Sequence, residues 1–87
     1  MNKLALYRIC GNIRTTSTGK LIYLILDDLA DEDGDVIIPQ RRISNVLHIS
    51  KSTVSRNLRR LERLGAISIM PTYHYDGGRA SNKYQVL

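Results

Sequence analysis

Hydrophobic residues recur at helical spacing between residues 50 and 64. Four of them fall on one side of a helix, at i, i+4, i+7 and i+10: Val54, Leu58, Leu61 and Leu64. Ser50 is a natural N-cap because its hydroxyl can accept a hydrogen bond from a free backbone N–H of the first turn. Gly65 tolerates the left-handed backbone that commonly ends a helix. The pattern predicts an amphipathic helix over about 50–64.

Two further helices are predicted upstream. The first covers residues 19–31, has Ser17 or Thr18 as its cap, and carries an apolar face made of Leu21, Ile22, Ile25 and Leu29. The second covers about 40–47, begins after Pro39, and points three residues inward: Ile43, Val46 and Leu47. Only the short connection His48-Ile49-Ser50 separates the second helix from the helix at 50–64. Such a pair predicts a helix-turn-helix arrangement.

The remaining pattern predicts short strands. Residues 36–38 form an apolar run ended by Pro39, and residues 66–69 alternate at period two. Asp76-Gly77-Gly78 is a strong hairpin-turn signal, and residues 81–87 return as the partner strand. The residues after Gly65 therefore predict a β-hairpin.

The N-terminal residues are harder to interpret. Leu4, Leu6 and Ile9 fit neither period well, and we predict an arm or strand over 1–16 in preference to a short helix closed by Gly11. The fold class is then α+β, with three helices, a C-terminal β-hairpin wing and a possible N-terminal strand. Residues 17–87 form the domain itself.

Charge is distributed unevenly along the 87 residues. Six of the eight acidic residues lie between Asp27 and Asp35, whereas residues 36–87 contain nine Lys and Arg against two acids, a net charge of +7. This asymmetry favours a polyanionic partner. No apolar run is long enough to cross a membrane, and Cys10 has no second cysteine to pair with, so we expect a cytoplasmic protein with a packed thiol.

The helix at 50–64 carries much of that positive charge. Ser52, Arg56, Arg59 and Arg63 fall within about 40° of the direction opposite Val54. A solvated surface helix usually alternates charge signs to form i,i+4 pairs, but this one sets Lys51 and four arginines against Glu62 alone. The imbalance indicates contact with a nucleic acid.

Metal binding and catalysis find little support in the sequence. If Gly34 is placed at the sixth position of a calcium loop, Leu29 and Gln40 occupy ligand positions, which excludes that motif. His48 and His74 lack partners at metal-ligand spacing. We expect no cofactor, no metal and no enzyme activity.

A family resemblance rests on the segment Ile49-Ser-Lys-Ser-Thr-Val-Ser-Arg56 and on Leu64-Gly65-Ala66-Ile67. Together with Leu58 and Leu61-Glu62, these residues resemble the recognition helix and wing entry of bacterial winged helix-turn-helix regulators of the catabolite-activator and multiple-antibiotic-resistance types. Gly19-Lys-Leu-Ile-Tyr-Leu-Ile-Leu26 and Ser81-Asn-Lys-Tyr-Gln-Val86 are similar to winged-helix domains of phage and plasmid replication proteins. The sensing domain and long dimerisation helix of the regulators have no counterpart in these residues.

The resemblance implies specific roles. Ser50 and Thr53 would cap the helix and touch phosphates, and Lys51, Ser52 and Arg56 would meet base edges in the major groove, where Arg can contact guanine with two hydrogen bonds. The other arginines would meet the backbone, with Arg79 in the minor groove. The expected DNA-binding residues are Arg41, Arg42, Ser50, Lys51, Ser52, Thr53, Ser55, Arg56, Arg59, Arg60 and Arg79.

Double-stranded DNA is the expected partner, and a transcriptional regulator is the expected protein. A replication-associated module of a mobile element, or a protein-interaction module using the basic face, is the alternative. Single strands or RNA are a narrower rival that would stack on Tyr73 and Tyr75. Because one module reads little DNA, we expect a homodimer, with residues 1–14 either as its interface or as an extension of the core.

Overall fold

A computed structural model describes residues 3–87, which form four helices and a three-stranded antiparallel sheet. The elements in chain order are α1 (Lys3–Asn12), α2 (Ser17–Leu29), β1 (Asp35–Ile37), α3 (Gln40–Leu47), α4 (Lys51–Arg63), β2 (Ile67–Met70) and β3 (Lys83–Val86). Helices α3 and α4 form the helix-turn-helix, and β2 and β3 form the wing. This is the winged helix-turn-helix fold.

Helix α1 corrects the prediction of an arm or strand at the N-terminus. Cys10 is buried, its Sγ lies 3.7 Å from the carbonyl oxygen of Lys20, and Leu6 and Ile13 pack against the same core. These three residues are spaced i, i+4 and i+7, which is a helical period. Gly11 lies inside the helix and does not end it.

The sequence predicts helix α2 correctly, but it predicts the wrong N-cap residue and, in part, the wrong buried face. Its N-cap is Thr16, whose side chain accepts a hydrogen bond from the backbone N–H of Gly19 at 3.1 Å, and not Ser17 or Thr18. The core residues are Ile22, Tyr23 and Leu26. The predicted face was wrong at its two ends, because Leu21 and Leu29 are about half exposed.

Helices α3 and α4 agree closely with their predicted bounds. Ile43 is buried as expected, whereas Val46 is largely exposed and lines a groove that contains no residue of α4. Val54, Leu58 and Leu61 are buried in the core, and Leu64 is partly exposed because α4 ends at Arg63. Gly65 has the predicted left-handed backbone, with φ of +76°.

The sheet has β3 at its centre, in the order β1-β3-β2. Val36 and Ile69 are the register partners of Tyr84 on either side, and Tyr84 is fully buried. The predicted hairpin is therefore confirmed, and the predicted strand at 36–38 lies one residue earlier. The interior also includes Tyr23, whose pKa is raised by burial and, to a lesser extent, by Asp27 and Cys10.

Replacing Gly34 by alanine should destabilise the fold. Gly34 has φ of +84°, and a Cβ there would lie 2.9 Å from the backbone oxygen of Val86. We expect a loss of about 1–3 kcal/mol in the free energy of unfolding, measured by urea denaturation. Gly11→Ala is the matched control, because nothing lies within 4 Å of a Cβ in that helical position, and it should stabilise by about 0.5–1 kcal/mol. Equal effects of the two variants would contradict this account.

Candidate nucleic-acid interface

The first turn of α4 is exposed and rich in hydroxyl groups. Ser50 Oγ accepts a hydrogen bond from the backbone N–H of Thr53 at 3.1 Å, so Ser50 is the predicted N-cap. The same oxygen lies 2.8 Å from Thr53 Oγ1 and 3.1 Å from Ser52 Oγ. These groups stand at the positive end of the helix dipole, where an anion is stabilised.

Basic side chains extend this surface along α4. Lys51, Arg56, Arg59, Arg60 and Arg63 are all exposed. Arg56 Nη2 donates a hydrogen bond to Thr53 Oγ1 at 3.4 Å, which holds its guanidinium beside the first turn. Since the apolar residues of α4 are buried and these basic residues are exposed, the predicted separation of an apolar face from a cationic face is confirmed. We call this exposed side of α4, with Ser50, the cationic face.

The connection between α3 and α4 is held by local hydrogen bonds. His48 ends α3 in a left-handed conformation, with φ of 55° and ψ of 45°. The hydroxyl of Ser44 donates to the carbonyl oxygen of Ile49, whose backbone N–H donates to the Ser44 carbonyl at 3.1 Å. His48 thus lies in the predicted connection between the two helices, and it is exposed.

The two arginines of α3 are both exposed, but the structure separates one of them from α4. Arg42 lines a groove between α2 and α3, together with Ile25 and Val46. Gln40, at the start of α3, lies instead against α4 and the wing. Sequence position alone did not predict that Arg42 lies on this groove.

A cleft of about 240 Å³ lies between α4 and the wing. Its walls include Ser55 and Arg59 from α4 and Arg79 from the wing. Gln40 and Asn82 also line it, and Arg79 Nη2 donates to Asn82 Oδ1 at 3.1 Å. Sequence analysis missed Gln40 and Asn82, because uncharged amides carry no charge signal and the cleft exists only after folding.

Glu62, the one acid of α4, fixes the wing to the helix. Its Oε2 accepts a hydrogen bond from the backbone N–H of Ile69 at 3.2 Å. Because β2 lies at the edge of the sheet, this bond satisfies an edge N–H group that has no neighbouring strand. The carboxylate therefore positions β2 relative to the cationic face.

The wing tip is a hydrogen-bonded turn with exposed aromatic residues. Gly77 has φ of +90°, and Asp76 Oδ1 accepts from the backbone N–H of Gly78 at 2.8 Å. Tyr73 forms an isolated bridge with Arg79, and Tyr73 and Tyr75 are both exposed. The tip thus presents an arginine and two aromatic rings to solvent.

Asn57 is the polar residue of α4 that sequence analysis overlooked. It is buried, its Nδ2 donates to the carbonyl oxygen of Thr53 at 2.8 Å, and its Oδ1 accepts from Thr16 Oγ1 at 3.1 Å. A Cβ on Gly19 would lie 3.1 Å from the same Oδ1, so glycine gives this bond its space. The network ties the N-terminus of α2 to the cationic helix.

The acidic turn has a structural role that its hydrogen bonds explain. Asp31 Oδ1 accepts from the backbone N–H groups of Asp33 and Asp35, both at 2.9 Å. Carboxylate oxygens of these three residues lie within 4.8 Å of one another, an arrangement that a cation could occupy. Lys83 Nζ lies 3.9 Å from Asp35 Oδ2 and supplies positive charge there already.

Comparisons with known proteins agree with this geometry. The family described as Helix-turn-helix domain matches residues 16–67, which include α2, α3 and α4. A possible transcriptional regulator from Methanosarcina mazei Go1 has a similar structure, with a TM-score of 0.67 and 18% identity over 91% of this chain and 62% of that one. The ST1889 protein of the archaeon Sulfolobus tokodaii has a TM-score of 0.64 and 20% identity over 98% and 72% of the two chains. The search of curated proteins found no match.

Fold and surface together define a winged helix-turn-helix domain of the DNA-binding class. The chain belongs to the helix-turn-helix domain family whose pattern spans residues 16–67. It covers 62% of the length of the Methanosarcina protein and shares its fold. Among the described residues, no helix is long and apolar enough to span a membrane.

Replacing Asn57 by alanine should loosen α4 from α2. The change leaves Thr16 without its partner and removes a buried hydrogen bond, so we expect a loss of about 1–3 kcal/mol in the free energy of unfolding. Asn45→Ala, on the exposed surface of α3, is the control and should change stability by less than about 0.5 kcal/mol. Urea denaturation followed by circular dichroism measures both. An Asn57→Ala variant as stable as its control would rule out the network as a stabilising contact.

Proposed function

We propose that the chain binds double-stranded DNA sequence-specifically, as the DNA-binding domain of a transcriptional regulator. The observation that carries the proposal is the exposed first turn of α4, with Ser50 as cap and Arg56 held beside it by Thr53. A helix of this kind fits the major groove, and its N-terminal residues are the ones that reach base edges.

Roles within the interface follow from position on α4. Lys51, Ser52 and Arg56 are assigned to base edges, and Arg is the best suited of the three because it can contact guanine O6 and N7 together. Ser50 and Thr53 are assigned to phosphates at the helix N-terminus. The remaining assigned residues meet the backbone: Arg41, Ser55, Arg59, Arg60 and Arg79. Arg79, which the sequence placed in the minor groove, is assigned to a phosphate because it shares a cleft with Arg59. Arg42 lies on the groove between α2 and α3 and is not assigned to DNA.

The cleft between α4 and the wing supports a second contact with the backbone. Arg59 and Arg79 line it from opposite sides, and a DNA strand passing there would bring one phosphate near both. Gln40 and Asn82 offer amide donors in the same cleft. We add these two residues to the proposed interface.

We also propose that two copies of the chain bind together on a palindromic DNA site. One module buries only about 600–1,000 Å² of protein surface on DNA, which limits the specificity that a single copy can reach. Twofold symmetry in the protein would match twofold symmetry in the site. A replication-associated role uses the same surface and is the alternative within DNA binding, and a protein-interaction module on the basic face is the alternative outside it.

Binding should depend steeply on salt. With about six phosphate contacts, affinity for duplex DNA should fall roughly a thousandfold between 50 and 200 mM salt. Fluorescence anisotropy with random-sequence duplexes measures this, and a target selected from random sequence then measures specificity. Absence of duplex binding at 50 mM salt would contradict DNA binding, and tighter binding of single strands would favour stacking on Tyr73 and Tyr75.

Arg56→Ala should weaken binding to a selected target by about 5- to 150-fold, as expected for the loss of a contact to guanine worth 1–3 kcal/mol. Discrimination at one base position should relax as well. Arg8→Ala removes the same charge from α1 and is the matched control, which should retain nearly full affinity. An equal loss of affinity in the two variants would show that Arg56 contributes only its positive charge.

Arg79→Ala should instead weaken binding to all sequences alike and lower the salt slope by about one, because its proposed contact is a phosphate. Lys83→Ala is the control in the same wing, since Lys83 already faces Asp35 at 3.9 Å. Anisotropy titrations at four salt concentrations give both slopes. A salt slope unchanged by Arg79→Ala would show that Arg79 makes no phosphate contact.

A further inference from the structure

An apolar groove lies between α2, β1 and α3 and has a volume of about 620 Å³. Its walls include Leu29 from α2, Ile37 from β1 and Val46 from α3, whose side chains are 53%, 61% and 66% exposed. None of the residues that line it belongs to α4 or to the wing. The groove is therefore a surface separate from the cationic face.

The sequence of α2 explains why this surface exists. One set of its apolar residues, with Ile22 and Leu26, enters the core of the domain. A second set, with Ile25 and Leu29, lines the groove, and Leu21, one turn before Ile25, is 50% exposed. An apolar flank of a helix that the rest of the chain leaves partly uncovered indicates a binding surface.

The charges on the groove indicate what covers it. Asp28 lies on the α2 wall and Arg42 on the α3 wall. If two copies meet groove to groove about a twofold axis parallel to the groove, α2 of each copy faces α3 of the other, so the wall that carries Asp28 meets the partner's wall that carries Arg42 twice. An axis across the groove would set the two acidic α2 walls against each other. The opposite charges thus make the surface self-complementary in one orientation.

We propose that a second copy of this chain docks in this groove, with Asp28 and Arg42 forming two equivalent ion pairs across the interface. The inference rests on the homodimer proposed above and names its surface. No groove residue belongs to α4 or to the wing, so the proposed contact uses neither of these elements.

Helix α1 is a poorer surface for a second copy. The sequence suggested an interface there because the apolar residues of 1–14 had no clear internal role, and Leu4 and Tyr7 are exposed in the structure. The ten residues of α1 also carry Lys3 and Arg8 and no acid. A twofold contact through α1 would bring like charges together, whereas the groove brings opposite charges together.

Charge reversal tests the proposal with the whole chain and without DNA. Asp28→Arg alone and Arg42→Asp alone each place like charges across the interface, and each should raise the dimer dissociation constant at least about tenfold in sedimentation velocity. Mixed in equal amounts, the two variants should form a heterodimer, because the pairs that join the two different copies again have opposite signs. Both residues are exposed, so both variants should fold, which circular dichroism checks.

The mixture separates an interaction between copies from one within a copy, since mixing restores only the former. Val46→Glu should also weaken the dimer, and Leu4→Ser on α1 should leave it intact. A wild-type chain that stays monomeric at hundreds of micromolar would overturn both the groove and the proposed homodimer, while the DNA titrations would stand separately. If the charge reversals leave the dimer dissociation constant unchanged, or if the mixed variants stay monomeric, the groove is not the dimer interface.

Discussion

Burial of one side of α4 is the constraint on which the rest of the structure depends. Val54, Leu58 and Leu61 are almost completely inaccessible to solvent, and rotating the helix about its axis would expose them. The arginines on the opposite side are therefore turned outward as a consequence of core formation. The same burial of apolar side chains therefore stabilises the fold and orients the cationic face towards solvent.

Hydrophobic packing fixes the rotation of α4, and polar contacts fix its neighbours. Asn57 joins it to the cap of α2, and Glu62 joins it to the outer strand of the wing. A buried amide is costly without partners, so its hydrogen bond with Thr16, which crosses from α4 to the cap of α2, favours one alignment of the helices. DNA-reading surfaces need such alignment because a base contact tolerates little displacement.

The two long helices divide their surfaces differently. Helix α4 has one apolar side and one cationic side, so its packing leaves no apolar surface uncovered except near Leu64. Helix α2 has apolar residues on both flanks of its core face, and α1 covers one flank through Cys10 and Leu6. The other flank forms the groove. A domain of this size therefore carries two separate surfaces, one polar and basic, the other apolar.

The sequence by itself determined the elements whose signals are local. Caps, period and a left-handed glycine defined α4 between Ser50 and Gly65, and Asp76-Gly77-Gly78 defined the hairpin. Tertiary structure decided which of several apolar faces met the core, because periodicity gives the spacing of a face but not its partner. It therefore decided the orientation of α2 and the helical state of α1. It also brought Gln40, Arg59 and Arg79 to one cleft, since residues distant in sequence share a surface only when the chain has packed.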